Sequence, residues 1–417
     1  MKRFLSTIMM ISGALALAYS CEVNTADDAG LKPKERTNIT LTKSQTELVS
    51  AGNALASDLM KIIASNESKS FIFSPLSVEY ALAMVNNGAA GETENQIRSV
   101  IGFGDKGVRD VNEFYKYLTE SLLAVDNTVA MNIANAQVFN TSISGKSKYK
   151  DSYKKALTTY YDALFEGYDF ETDNSKALSA INTWASRQTA GMIDPLLDEL
   201  SPKTATLLMN AIYFKGSWAD KFMAENTRKE AFTKTDGKTA KVDMMNQSSE
   251  VAYIKMKGFK SISKPYGNGA FRMTFILPDE GKTVAEIAKN LDRNTWETLI
   301  GIGGSNEVLI KIPKFETSFM IELNDILKSL GMTDAFDSDK ADFSNMSEEL
   351  KLYISRVFQK ARIKVEEKGT EAAAVTVIDM KTSSVGPLTF YATRPFLYAI
   401  SEISTGAILF MGQYNGD

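Results

Sequence analysis

Residues 366–384 read EEKGTEAAAVTVIDMKTSS, a stretch written to be exposed and yet to lie as a strand against a core. Its front, Glu366-Glu367-Lys368-Gly369, has turn character, and so has its rear, Ser383-Ser384-Val385-Gly386-Pro387. Between them Val375, Val377 and Ile378 favour a strand. Strand side chains alternate between faces. One parity holds Thr370, Ala372, Ala374, Thr376, Ile378, Met380 and Thr382. The other holds Glu371, Ala373, Val375, Val377, Asp379 and Lys381, and so every charge between Thr370 and Thr382. The first set can be buried without stranding a charge. A slip of one residue would bury all three charges. The same alternation fits a plain edge strand with a charged outer face, and parity alone does not separate the two.

Two absences exclude most chemistry. The 417 residues contain no histidine and one cysteine, Cys21. Ser-His-Asp and Cys-His sites are therefore excluded, as are His-ligated zinc and an internal disulfide. Paired carboxylates are the enzymatic option left. Asp198-Glu199 and Glu348-Glu349 are such pairs, but both read as solvated turns. The expectation is a protein that is not an enzyme and uses no metal or cofactor. Net charge is −4, so no basic surface points to nucleic acid.

The first twenty residues read as an export signal. Lys2 and Arg3 precede an apolar stretch from Phe4 to Tyr19. Leu17-Ala18-Tyr19-Ser20-Cys21 resembles a bacterial lipobox, in which the cysteine is acylated after cleavage. On that reading residues 1–20 are a lipoprotein signal peptide and Cys21 is the membrane anchor. The chain then sits at the outer membrane, expected on the outer surface with the periplasmic face as the alternative. Ordinary secretion with an incidental cysteine is the competing reading. Residues 21–42 are polar and read as a lipidated flexible tether.

The ordered body is expected over 43–417. Leu48, Leu55, Leu59, Ile62 and Ile63 recur at helical spacing. A second helix follows Ser74-Pro75 and ends near Gly88, and Thr93 with Gln96 has capping-box spacing for a third. Helical patterns continue over Asn112–Ala124, Lys148–Leu164 and Lys176–Thr189. Strand-like runs follow at Leu207–Phe214, Phe271–Leu277, Val308–Phe315 and Ile363–Val365, with helices at Thr283–Leu299 and Ile321–Leu330. Phe396–Ile400 and Ala407–Met411, split by Ser404-Thr405-Gly406, read as a buried hairpin. Helices first and strands later predict an α+β fold in one large domain.

At this point the chain resembles the serpin family. EEKGTEAAA at 366–374 resembles the family's proximal hinge, and FIFSPLSVEYALAMVNNGAAGETENQI at 71–97 its second and third helices. NAIYFKGSW at 210–218 resembles the central strand of its main sheet. IPKFETSF at 312–319, LGMTDAFDSDKADFS at 330–344 and RPFLYAI at 394–400 resemble further family blocks, in family order. The resemblance implies a serpin fold, with helices packed on a large central β-sheet, further sheets and an exposed reactive-centre loop. It implies a suicide inhibitor of serine proteases, with cysteine proteases as further targets. The protease cuts the loop and forms an acyl-enzyme. The loop then enters the sheet as an extra strand and traps the covalent complex. The alternative is a non-inhibitory member that binds something else or is merely cut. The chain is expected to act as a monomer.

The resemblance also assigns residues. The hinge is Glu367, Gly369, Thr370, Glu371, Ala372, Ala373 and Ala374. Glu367 and Lys314 match an ion pair at the top of the sheet, where the loop enters, with Trp218 nearby. Ser74, Ser77 and Asn210 match a polar cluster beneath the sheet, where strands must part. The family usually has a histidine in that cluster, and here Gln359 stands in its place. The cut bond is a choice among neighbours. Family spacing counted forward from Glu367 reaches Ser383, and counted back from Pro395 reaches Ser384. Lys381 suits a trypsin-like pocket, Thr382 and the serines suit elastase- or subtilisin-like pockets, and Met380 suits a chymotrypsin-like one. The expected bonds are Lys381–Thr382 and Thr382–Ser383, with broad specificity as in miropin-like bacterial lipoprotein serpins.

Overall fold

The computed structural model describes residues 32–143, 145, 148–301, 305–369 and 387–417. Signal residues 1–20, Cys21, Thr370 to Ala374 of the hinge and the bond candidates Met380 to Ser384 lie outside the described residues. The N-terminal half carries helices α1 (Lys43–Asn66), α2 (Pro75–Asn86), α3 (Gly91–Ile101), α4 (Val108–Ala124), α5 (Asp151–Tyr161) and α6 (Asn174–Gln188), with strands β1 (Phe71–Phe73), β2 (Val129–Asn140) and β3 (Leu164–Tyr168) between them. Then follow β4 (Thr206–Gly216), β5 (Arg228–Thr233), β6 (Thr239–Met256), β7 (Phe259–Pro265), β8 (Phe271–Pro278), α7 (Val284–Ala288), α8 (Arg293–Gly301), β9 (Asn306–Pro313), β10 (Phe315–Glu322), α9 (Asn324–Ser329), β11 (Phe358–Val365), β12 (Leu388–Tyr391), β13 (Phe396–Glu402) and β14 (Ile408–Tyr414).

These strands form three sheets among the described residues. The largest has the order β1-β14-β13-β8-β7-β6-β9-β12, with β5 on β6. A second is β3-β2-β4 and a third is β10-β11. The expected C-terminal hairpin is β13–β14, buried at every position. The Glu402 carboxylate accepts from the amides of Ser404 (2.8 Å) and Thr405 (2.7 Å), which closes its turn. Helices α1 and α2 pack on β14. The Phe315 ring joins the short sheet to the large one, stacked on Tyr414 at 4.9 Å. The fold is α+β, as the order of patterns predicts.

The elements correct several expectations. The capping box of α3 is not formed: the helix starts at Gly91 and Ala90 caps it without a side chain. Thr93 instead accepts from the Asp342 amide (2.9 Å), and Gln96 accepts from the amides of Thr333 (2.9 Å) and Asp334 (2.8 Å). Tertiary partners outbid the local cap. A capping box does form two helices earlier, at the start of α1, between Thr42 and Gln45. The run 308–315 is two strands of different sheets, parted at Lys314. The run 283–299 is two helices, the second begun where Asp292 accepts from the Thr295 amide (2.8 Å). Two long strands, β2 and β6, carry no pattern that the sequence made visible.

The last part of the expected tether is docked. The Lys34 amide donates to Asn127 (2.8 Å), and Asn127 donates to the Lys32 carbonyl (3.1 Å). Tyr117 donates to the Thr40 carbonyl (2.9 Å), and the Ile39 amide to Ser404 (2.9 Å). Residues 32–41 therefore form a strap on the body, and the boundary at 42–43 moves towards the N-terminus.

Candidate functional site

Strands β4 and β11 face each other across a slot. No ladder joins them among the described residues. At one end Tyr213–Gly216 of β4 and Arg362–Val365 of β11 line a cavity of about 380 Å³, with Ile72, Ile400 and Phe410 also in its lining. At the other end Thr206–Asn210 and Phe358–Lys360 line a cavity of about 90 Å³ that α2 also borders. Each of the two strands has a ladder on one side only among the described residues, β4 with β2 and β11 with β10, and an open strand edge can take up a further strand.

β11 alternates cleanly. Gln359, Ala361, Ile363 and Val365 are buried, while Arg362 and Lys364 are exposed. Its buried parity is odd-numbered, whereas the uncharged set of the following segment is even-numbered. The chain turns at Glu366–Gly369, between the two patterns. The Gly369 amide donates to the Glu366 carbonyl (3.1 Å), and Gly369 has φ of +68°. That conformation favours glycine. A Cβ there would also lie 2.7 Å from the Gly216 oxygen.

The turn is anchored to the far end of β4. Trp218 donates from its ring nitrogen to the Glu366 carbonyl (3.0 Å) and from its amide to the Lys368 carbonyl (3.2 Å). The Phe222 amide donates to the Glu367 carbonyl (3.0 Å). The Glu367 carboxylate pairs with Lys314 at 2.8 Å and accepts from the Thr227 hydroxyl at 2.8 Å. Burial works to raise the pKa of this carboxyl, but the bonds from Lys314 and Thr227 outweigh it, and the net shift is downward. Trp218, Lys314, Glu367 and Gly369 therefore converge at one end of the slot.

Ser74, Ser77, Gln359 and Asn210 gather at the other end. Ser74 caps α2, accepts from the Ser77 amide (3.1 Å) and donates to the Leu409 carbonyl (2.6 Å). Gln359 accepts from the Ser74 amide (2.7 Å) and donates to the Ser74 carbonyl (2.8 Å), using both ends of its amide on one residue. Asn210 is not bonded into this group. It donates to Asn135 (2.8 Å), and its buried side-chain oxygen has no partner.

Sequence reasoning missed the support of Trp218. Its ring stacks on Tyr266, centroids 4.3 Å apart and 12° from parallel. The Lys264 ammonium lies 5.8 Å from the Trp218 ring and 4.7 Å from that of Phe222. Lys264 is fully buried, on a strand with five of seven residues buried, and nothing in Ser261-Ile262-Ser263-Lys264-Pro265 marks it. The carboxylate pairs considered above lie elsewhere: Asp198 and Glu199 are exposed, and exposed Glu348 pairs with Lys150 at 2.6 Å. Among the described residues no cluster of three acids or cysteines could hold a metal ion.

Known proteins share this arrangement of chain. A family model described as serpin (serine protease inhibitor) matches residues 50–416. Serpin B6 of Pongo abelii is 33% identical over 377 residues, which cover 88% of this chain and 99% of that protein. Human antithrombin-III is 29% identical, over 96% of this chain and 88% of its own. The crystal structure of tengpin, a thermophilic serpin in its native state, superposes with a TM-score of 0.79 at 30% identity, covering 92% of this chain and 97% of its own. Human thyroxine-binding globulin, crystallised with its hormone, superposes with a TM-score of 0.79 at 26% identity, covering 89% and 98%.

Proposed function

Because this chain belongs to the serpin family, whose members are generally protease inhibitors, we propose that it inhibits serine proteases as a suicide substrate, with cysteine proteases as further targets. The observation that carries the reading is the slot between β4 and β11, bounded at its upper end by the turn that leads into residues 370–384. That segment has one parity free of charge, which is what a strand needs to fill a slot above a buried core. In this reading the protease attacks a bond between Met380 and Ser384, with Lys381–Thr382 and Thr382–Ser383 favoured. Cleavage frees the front part to insert while the acyl-enzyme is still attached. Glu371, Asp379 and Lys381 stay on the outer face. Ser74, Ser77, Asn210 and Gln359 lie at the lower end of the slot the loop would fill, and Glu367, Lys314 and Trp218 where the loop starts. Cys21 is read as a lipid anchor in a bacterial outer membrane, supported by its place as the single cysteine after an apolar leader. The protein acts as a monomer.

Mixing the purified protein with trypsin-like and elastase-like proteases tests this. Complexes that survive hot detergent are expected, with the released peptide beginning at Thr382, Ser383 or Ser384. Cleavage without any such complex would reject inhibition. It would leave a family member that binds a ligand, as the thyroxine-bound globulin does.

A further inference from the structure

A fully buried lysine without a carboxylate in contact is costly. Lys264 is one, 0% exposed. Its ammonium donates to the Gln247 side-chain oxygen (2.9 Å). Gln247 donates on to Asp220 (2.6 Å), so the acid is one residue removed from the cation. The rest of the site is aromatic: Phe222 at 4.7 Å and Trp218 at 5.8 Å. A desolvated cation near two rings is attracted to them more strongly than at a surface. These two residues hold the start of the loop. Phe222 donates its amide to the Glu367 carbonyl, and Trp218 donates two hydrogen bonds, to the carbonyls of Glu366 and Lys368.

We propose that Lys264 is a positioning residue for the reactive loop: its charge holds Trp218 and Phe222 against the turn at Glu366–Lys368, and loss of that charge lets the loop enter the slot without being cut. The proposal rests on the reading of the chain as a loop-inserting inhibitor. Burial lowers the pKa of Lys264 to about 8, with Asp220 opposing. The ammonium therefore loses its proton in mildly alkaline solution. Gln247 and Ser249 of β6 are neutral, and burial pushes the Tyr266 hydroxyl far above its ordinary value. Glu367 is neutralised by Lys314, and Lys221 beside Asp220 has an interaction of its own.

The test is incubation of the uncut protein at pH 7 and at pH 9, followed by return to pH 7 and titration with protease. The inhibitory fraction should decay about tenfold faster at pH 9, because a group titrating at about 8 has about ten times more of its neutral form at pH 9 than at pH 7. K264M should decay fast at both values and K264R slowly at both. Equal decay of the unmodified protein at the two values would overturn the proposal, and so would a K264R variant that keeps the pH dependence. If K264M does not fold, the unmodified protein and K264R decide. Tryptophan emission gives a readout free of protease: a transition centred near pH 8 should be present in the unmodified protein and absent from K264R. Failure to form complexes at pH 7 would count against the inhibitor reading itself, whereas complexes formed at pH 7 with no alkaline decay would count against Lys264 alone.

Discussion

Glu367 is held by two hydrogen bonds from outside its own turn, and its side chain is 11% exposed. Folding lowers its pKa below the ordinary 4.5, so its ionised form is the one the fold prefers. The stabilisation is complete above about pH 4.5 and disappears as pH falls through the folded value. Lys314 is 37% exposed, so solvent screens the pair and the contribution is about 1 kcal/mol. E367Q should therefore melt about 1–2 °C lower at neutral pH, a gap that closes under acid conditions when melts are compared from pH 7 down to pH 3. A constant gap across that range would assign the effect to packing. Gln359 makes the opposite kind of contribution. It bonds to both peptide groups of Ser74 at any pH, whereas a histidine there would change its hydrogen-bonding pattern as it titrated. The lower end of the slot is thus insensitive to the mild acidity that protonates imidazole.

At the scale of elements, strand alternation decides what the segment after β11 can do. Thr370 is the first residue of its uncharged parity after the turn. A charge placed there would have to be buried on insertion, which costs several kcal/mol. T370R should be cut at the same bond as the unmodified protein but release the protease. Cleaved unmodified protein should melt well above the uncut form, because insertion completes a sheet, and cleaved T370R should not. Melting scans before and after limited proteolysis check both, and an unchanged melt of the cleaved unmodified protein would refute insertion. The alternation of this segment was legible in the sequence because period two is local. So were the hairpin β13–β14 and the helix starting at Ser74-Pro75. Other features were not, and the reason is the same each time. Thr93 and Gln96 serve amides more than 200 residues away, at Asp342 and Thr333. β2 is a strand because it pairs with β4 along its length, not because of its own alternation. Lys264 reads as a surface residue until β6, Phe222 and Trp218 close over it.

For the whole molecule, the proposed acylation of Cys21 is what would place it in the cell. Cys21 is the single cysteine, so acylation can have one site. Expressed in a Gram-negative host, the protein should incorporate labelled palmitate and partition into detergent, and C21S should do neither. Palmitate-free, water-soluble protein would favour ordinary secretion. No described helix is long and apolar enough to cross a membrane, so the acyl chains would supply the attachment.

The strap at 32–41 then acquires a geographical meaning. Lys32 follows Cys21 by eleven residues, a leash of about 40 Å at full stretch. The strap meets the body at Asn127 and, through Arg36 (3.4 Å), at the Gly269 carbonyl. That carbonyl is three residues from Tyr266, on which Trp218 stacks. The strap and the turn at Glu366–Gly369 therefore dock on neighbouring parts of the body. On the reading proposed above, with Cys21 acylated, an inhibitor tied down in this way would patrol a layer a few nanometres deep over its own membrane. Within that layer its concentration is set by how densely the surface is populated and not by how much protein the cell releases, so dilution by surrounding fluid does not weaken the defence.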